Sequence, residues 1–201
     1  MSSPKIQKLV LLLSKLPGLG PRQATRLAYH ILDQNRDFAA ELAKNIVKLR
    51  EIKRCSRCFQ AHEERPEICS ICSSASRDQN KLMVVEKDMD LETIEKTGVY
   101  NGTYFVLGGL MSPLREDSQR RIRLKELVGR VSSGNAISEI VLATSSTAEG
   151  DMTSRYIEKI LEPHMAAKKI KLTRLGRGLS TGVELEYSDL ETFKNAYLNR
   201  K

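Results

Sequence analysis

With 201 residues, 29% of them charged and 40% hydrophobic, the chain has room for one large domain or two to three small ones, and the balance of an ordinary soluble protein. It holds no run near the roughly 18 consecutive apolar residues of a membrane span. Its start lacks the basic region and cleavage site of a signal peptide, so a cytoplasmic protein is expected. The formal net charge of +8 is unevenly spread: residues 1–54 hold 11 Lys/Arg against 4 Asp/Glu, whereas residues 55–201 hold 22 against 21. A basic module on a nearly neutral body points to a polyanion partner, most often nucleic acid. A lysine-rich solvated helix face would give the same count.

The stretch LPGLGPRQATR (Leu16–Arg26) sits between the apolar runs Leu9–Leu16 and Leu27–Leu32. Gly-Leu-Gly-Pro between two such runs predicts two short helices joined by a tight turn. Pro21 falls at the first helical position, where its missing N–H would be unpaired in any case. Such a turn presents the amides and the positive dipole end of the second helix, which suit a phosphate. Arg22 and Arg26 stand four residues apart, on one face just beyond it. None of these groups reads a base, so Gly18, Gly20, Arg22 and Arg26 are expected to hold DNA without regard to sequence and in a salt-sensitive way. A plain helical hairpin whose glycines only permit the turn is the alternative. Further on, Leu42, Ile46 and Leu49 recur at helical spacing and predict one buried stripe.

Residues 55–80 carry all four cysteines and no helical or strand period. Cys55-Ser-Arg-Cys58 and Cys69-Ser-Ile-Cys72 form two C-x2-C hooks separated by ten residues. Two hooks at this spacing close a tetrahedron about 2.3 Å from a zinc ion. In a cytosolic chain the pattern favours metal over a disulfide pair, with an iron–sulfur site as a further alternative. Four protein ligands leave no position for water, so one structural Zn2+ per chain is expected to staple rather than catalyse.

From residue 81 to 175 short apolar runs alternate with helical patterns. The runs are Leu82–Glu86, Thr103–Leu107, Glu139–Thr144 and Ile170–Leu175, and the clearest helical face is Tyr156, Ile157, Ile160 and Leu161. This alternation argues for βαβ units and a mainly parallel sheet. Glu86 ends the first strand and is followed by Asp88 and Asp90, while Glu149 and Asp151 open the helix after the third. Carboxyl ends of parallel strands converge on one edge, so acids from two strand ends are candidates to share a Mg2+. Alternatively, Asp88 and Asp90 merely complement a helix N-terminus. His30, His62 and His164 are scattered, with no nucleophile signature beside them. Residues 176–201 open with Gly176, Gly178 and Gly182 and end in a short helix expected from Ser188 or Asp189.

In this order, the chain resembles the bacterial recombination mediator family RecR along nearly its whole length. The likeness is carried by LPGLGPRQATRLAYHIL, the four cysteines, VVE with YNGTYFVLGGLMSPL, ATSSTAEGD and TRLGRGLSTGVELEYSD. The resemblance implies a multi-domain α+β fold. Its parts would be a helix-hairpin-helix DNA-binding region (1–54), a C4-type zinc finger (55–72), an α/β Toprim domain with a parallel sheet (80–175) and a Walker B-like strand and helix (176–201). It also implies a ring-shaped homotetramer acting with RecO, and in some settings RecF, to load RecA onto single-stranded DNA coated by SSB. That is recombinational repair and not catalysis. Under this resemblance Glu86, Asp90, Glu149 and Asp151 form one acidic Toprim patch for a basic partner surface.

The competing reading is a Mg2+-dependent Toprim nuclease, or another phosphoryl-transfer enzyme, using Glu86, Glu149 and Asp151. It wants a strict Asp-x-Asp and a motif-linked nucleophile or base, whereas the chain has Glu149-x-Asp151 and neither of these. Without a Walker A loop, ATP hydrolysis has no sequence support. Two departures from the family pattern stand out: the charged run from Arg115 after Met111-Ser112-Pro113-Leu114, and Thr181-Gly182-Val183 where Val-Gly-Gly is common.

Overall fold

The computed structural model describes residues 3–63, 67–113, 122–133 and 137–200. Leu114 and the start of the charged run, through Arg121, lie outside the described residues. The chain divides into two compact units, one up to Ile52 and one from Lys53 on.

The first unit is helical: α1 (Pro4–Leu13), α2 (Pro21–Asp33) and α3 (Arg36–Lys48), closed by a 3-10 turn at Leu49–Glu51. Proline opens both α1 and α2, and the Asn35 side chain caps α3 by accepting from the Phe38 amide at 2.8 Å. Ala24 and Ala28, one turn apart on α2, are its buried residues among those described. The stripe expected to be buried is not: Leu42, Ile46 and Leu49 are 37%, 59% and 62% exposed. The periodicity does form a helix face, but among the described residues that face is left largely exposed. Leu11, Leu12, Leu32 and Val47 are exposed as well.

The second unit is a four-stranded parallel sheet with a cysteine-rich module at its start. A short antiparallel pair, β1 (Lys53–Arg54) and β2 (Ala61–His62), is followed by the single-turn helix α4 (Ser70–Ser73). The sheet comprises β3 (Asp78–Val85), β4 (Gly102–Val106), β5 (Glu139–Ala143) and β6 (Lys171–Arg174), in the order β4-β3-β5-β6. Helices α5 (Asp88–Thr97), α6 (Leu124–Ser133) and α7 (Ala148–Lys168) lie between successive strands, and α8 (Leu190–Leu198) ends the unit. Alternation along β3 feeds both faces of the sheet. Leu82 and Val84 pack with Phe105, Leu107, Ile140, Leu142, Ile157 and Leu161 on one side. Met83 and Val85 pack with Leu91, Tyr104 and Val106 on the other.

The four strands expected between residues 81 and 175 are present, and β3 reaches further back than its apolar run; the Walker B-like strand expected within 176–201 does not form among the described residues, where a 3-10 turn at Leu185–Tyr187 precedes the last helix. Its polar start is held by backbone pairing: Asp78 donates to the Asn101 carbonyl at 2.8 Å, and Ser138 to that of Asn80 at 2.9 Å. The last helix is capped by Asp189, which accepts from the Thr192 amide at 2.9 Å. Edge strand β4 is covered by the cysteine module, since the Val106 amide donates to the Cys58 carbonyl at 2.8 Å. Phe59, in a left-handed conformation (φ 63°), sets its ring edge-on to Phe105, with centroids 5.4 Å apart.

Candidate nucleic-acid interface, metal centre and acidic edge

Gly18 adopts φ +80°, a conformation open to glycine at no steric cost, and this turns the chain from α1 into α2. Gly20 is the extended N-cap of α2. The Leu19 amide is used within the turn, bonding the Leu16 carbonyl at 3.2 Å. Those of Gly20, Arg22 and Gln23 find no acceptor among the described residues. Arg22 and Arg26 are exposed one turn apart on the same helix, and neither makes an ion pair among the described residues. Free amides, a helix N-terminus and two unpaired guanidinium groups therefore stand together, an arrangement that suits successive phosphates.

The cysteines converge. Cys55 and Cys58 occupy the β1–β2 turn, where Cys55 donates to the Gln60 carbonyl and Phe59 to that of Cys55, each at 2.9 Å. Cys69 is the N-cap of α4, and Cys72 lies within that helix. All four are buried and unbridged, with their sulfur atoms within 4.8 Å of one another. Thiolates ligating one tetrahedral ion at about 2.3 Å would stand about 3.8 Å apart, so the set fits a four-thiolate metal site. Cys58 Sγ and Cys69 Sγ are 3.5 Å apart. That contact, the neighbouring Cys72 and burial push the Cys58 thiol up. The Cys69 amide points at Cys55 Sγ at 3.4 Å, a donor suited to steadying a thiolate.

At the carboxyl edge of the sheet, three of the four acids expected to form one patch are separately engaged. Glu86, just past β3, is 4% exposed, and its Oε1 accepts from the Ser145 amide just beyond β5. Asp90 reaches back to cap its own helix, accepting from the Lys87 amide at 2.9 Å. Asp151 is gripped by both terminal nitrogens of Arg177, one of them at 3.1 Å. The Arg177 guanidinium holds the Asp151 carboxyl below the usual carboxylate range. Glu149, half-buried in the first turn of α7, is the one of the four whose carboxylate makes no hydrogen bond or ion pair among the described residues. The polar lining of a 290 Å³ cleft beside this edge is Thr144, Ser145, Ser146, Arg174 and Arg177, with Leu142 and Leu175 among its apolar walls.

Two more residues matter here. Asp88 ties the cysteine module to α5, accepting from the Ala61 amide at 2.7 Å and from Arg54 at 2.6–2.8 Å. Burial works against its charge, yet Arg54 and the Ala61 amide keep the carboxyl below its usual range. Gly150 is needed in the first turn of α7, because a Cβ there would lie 2.0 Å from the Ser145 carbonyl oxygen. Arg177 was missed by sequence reasoning. It lies 26 residues from Asp151, and no local period links the two.

Comparison with known proteins agrees with this organisation. The family model for the RecR helix-hairpin-helix matches residues 6–50, and that for the Toprim domain matches residues 80–176. Proteins named Recombination protein RecR from Streptococcus gordonii and from Streptococcus pyogenes serotypes M49 and M1 are each 41% identical over 196 residues, covering 97% of this chain and 96% of theirs. The chain belongs to the RecR family of recombination proteins.

Proposed function

We propose that the chain is a DNA-binding mediator of recombinational repair that performs no chemistry on DNA itself. The observation that carries this reading is the hairpin: unbonded amides at the start of α2 beside exposed Arg22 and Arg26, on a module with most of the chain's excess positive charge. Its contacts are to phosphates, so binding is independent of sequence. The uncovered apolar side chains of α1–α3 are the natural seat of further copies of the chain, in keeping with a ring-shaped homotetramer. Acting with RecO, and with RecF in some settings, the assembly helps load RecA onto SSB-coated single-stranded DNA in the cytoplasm. Among the described residues, no helix is long and apolar enough to cross a membrane. The enzymatic alternative, a Mg2+-dependent nuclease, is disfavoured because Glu86, Asp90 and Asp151 are each committed to a protein partner.

The double substitution Arg22→Ala/Arg26→Ala is expected to weaken DNA binding while leaving thermal unfolding nearly unchanged, as exposed sites seldom shift stability by more than about 0.5 kcal/mol. Loss of two phosphate contacts should flatten the plot of log K against log salt by up to about 2 units of slope. A mutant with the affinity and slope of the wild type would refute the contact assignment.

We assign the four-cysteine site to one structural zinc per chain, held by Cys55, Cys58, Cys69 and Cys72. The module buries little besides the cysteines themselves, so metal binding supplies much of its folding energy. Elemental analysis is expected to give one zinc per chain. Cys→Ser at any of the four should lose the metal and open residues 55–80 to protease. Protein purified without chelator and free of zinc would contradict this.

For the acidic edge, Glu149 is the acid most available to a basic surface of RecO, and Asp151, paired with Arg177, lies in the same first turn of α7. Glu149→Ala should therefore weaken RecO binding several-fold in a titration, and Asp151→Ala should do so too. Unaltered RecO affinity in both would remove this edge from the partner interface.

A further inference from the structure

A Toprim edge invites a divalent cation, and the geometry here argues against one. The sheet order β4-β3-β5-β6 places the reversal of strand order between β3 and β5, whose carboxyl ends lie side by side through the pairing of Val85 with Ala143. A ligand crevice is expected at such a point. In this chain it is stapled shut, because the buried Glu86 carboxylate takes the Ser145 amide across the gap. Asp90 is spent on its own helix. Hard cations such as Mg2+ need several oxygens at once, and Glu149 alone is left uncommitted among the four acids.

We infer that Arg177 stands in the place of the cation: its guanidinium, bidentate on Asp151, is the internal counter-ion of the Toprim acids and keeps divalent metal off this edge. The pairing is held from the C-terminal side as well. The Arg177 carbonyl accepts from Asn199 Nδ2 at 2.9 Å, just past α8, and Gly178 approaches α8 closely enough that a Cβ would lie 3.7 Å from the Ala196 backbone. A side chain fixed at its backbone and forked onto a carboxylate is pre-organised, so an ion arriving from water must displace two charge-assisted hydrogen bonds to reach Asp151. The Asp151–Arg177 pair in this way forms a joint between the sheet edge and the C-terminal helix.

This inference deepens the non-catalytic reading proposed above and supplies its physical cause. Its test is a Mn2+ titration, followed by electron paramagnetic resonance of the free ion, on full-length zinc-loaded protein without DNA. Wild type and D151N should bind Mn2+ equally weakly, because Asp151 is already occupied. R177A should bind at least tenfold more tightly than wild type, and R177A/D151N should fall back to the wild-type level. R177M, which keeps the length of the side chain, repeats the measurement should R177A fold poorly, and the comparison of wild type with D151N decides the claim in the absence of either. Mn2+ binding by the wild type that disappears in D151N would overturn the inference, as would folded R177A or R177M that gains nothing. Cation binding without cleavage of DNA would sink this inference alone and leave the mediator reading standing.

Discussion

Everything at the carboxyl edge depends on one strand being apolar on both faces. Leu82 and Val84 fill one side of the sheet and Met83 and Val85 the other, so β3 is fixed at its centre by two separate cores. Burying four such side chains is worth several kcal/mol, at about 1.5–3 kcal/mol each. The register this imposes leaves Glu86 nowhere to go but the crevice mouth beside Ser145. The same strand directs Asp88 and Asp90 into the first turn of α5, where one anchors the cysteine module and the other caps the helix. Each of these carboxylates is a strut.

The molecule thus divides its electrostatics into two kinds of surface. In the helical unit the arginines are exposed and unpaired among the described residues, and the amides beside them lack acceptors, so charge is held ready for a ligand. On the sheet edge part of the charge is internally cancelled, by Arg177 on Asp151 and by Arg174 on Glu158 at 3.2 Å, while Glu149 stays unpaired among the described residues. A ready positive surface draws in a polyanion from a distance, with strength that falls as salt rises. A partly cancelled edge exerts less long-range pull.

Legibility from sequence followed the range of the interaction. The cysteine hooks and the Gly-Leu-Gly-Pro turn are encoded within a few residues, and the structure gathers the four sulfurs and bends at Gly18 as their spacing demands. The strands were legible wherever apolar alternation carried them; the polar start of β3, held by main-chain bonds to Asn101 and Ser138, left no such trace. The stripe of Leu42, Ile46 and Leu49 shows the opposite limit. Periodicity reveals that a face wants cover but not whether this chain or another supplies it. Arg177 and Ser145 were illegible because their partners lie 26 and 59 residues away, brought close by the parallel crossovers alone.

The central claim is that this protein holds DNA through its hairpin and leaves the DNA intact at its Toprim edge. The most direct measurement is incubation of the full-length zinc-loaded protein with single-stranded and supercoiled double-stranded DNA in Mg2+ or Mn2+, with binding and product length followed in the same samples. The account predicts retained, salt-sensitive binding and no nicked, relaxed or shortened product with either metal. Metal-dependent cleavage that vanishes in both Glu149→Ala and Asp151→Ala would contradict it and make the protein an enzyme.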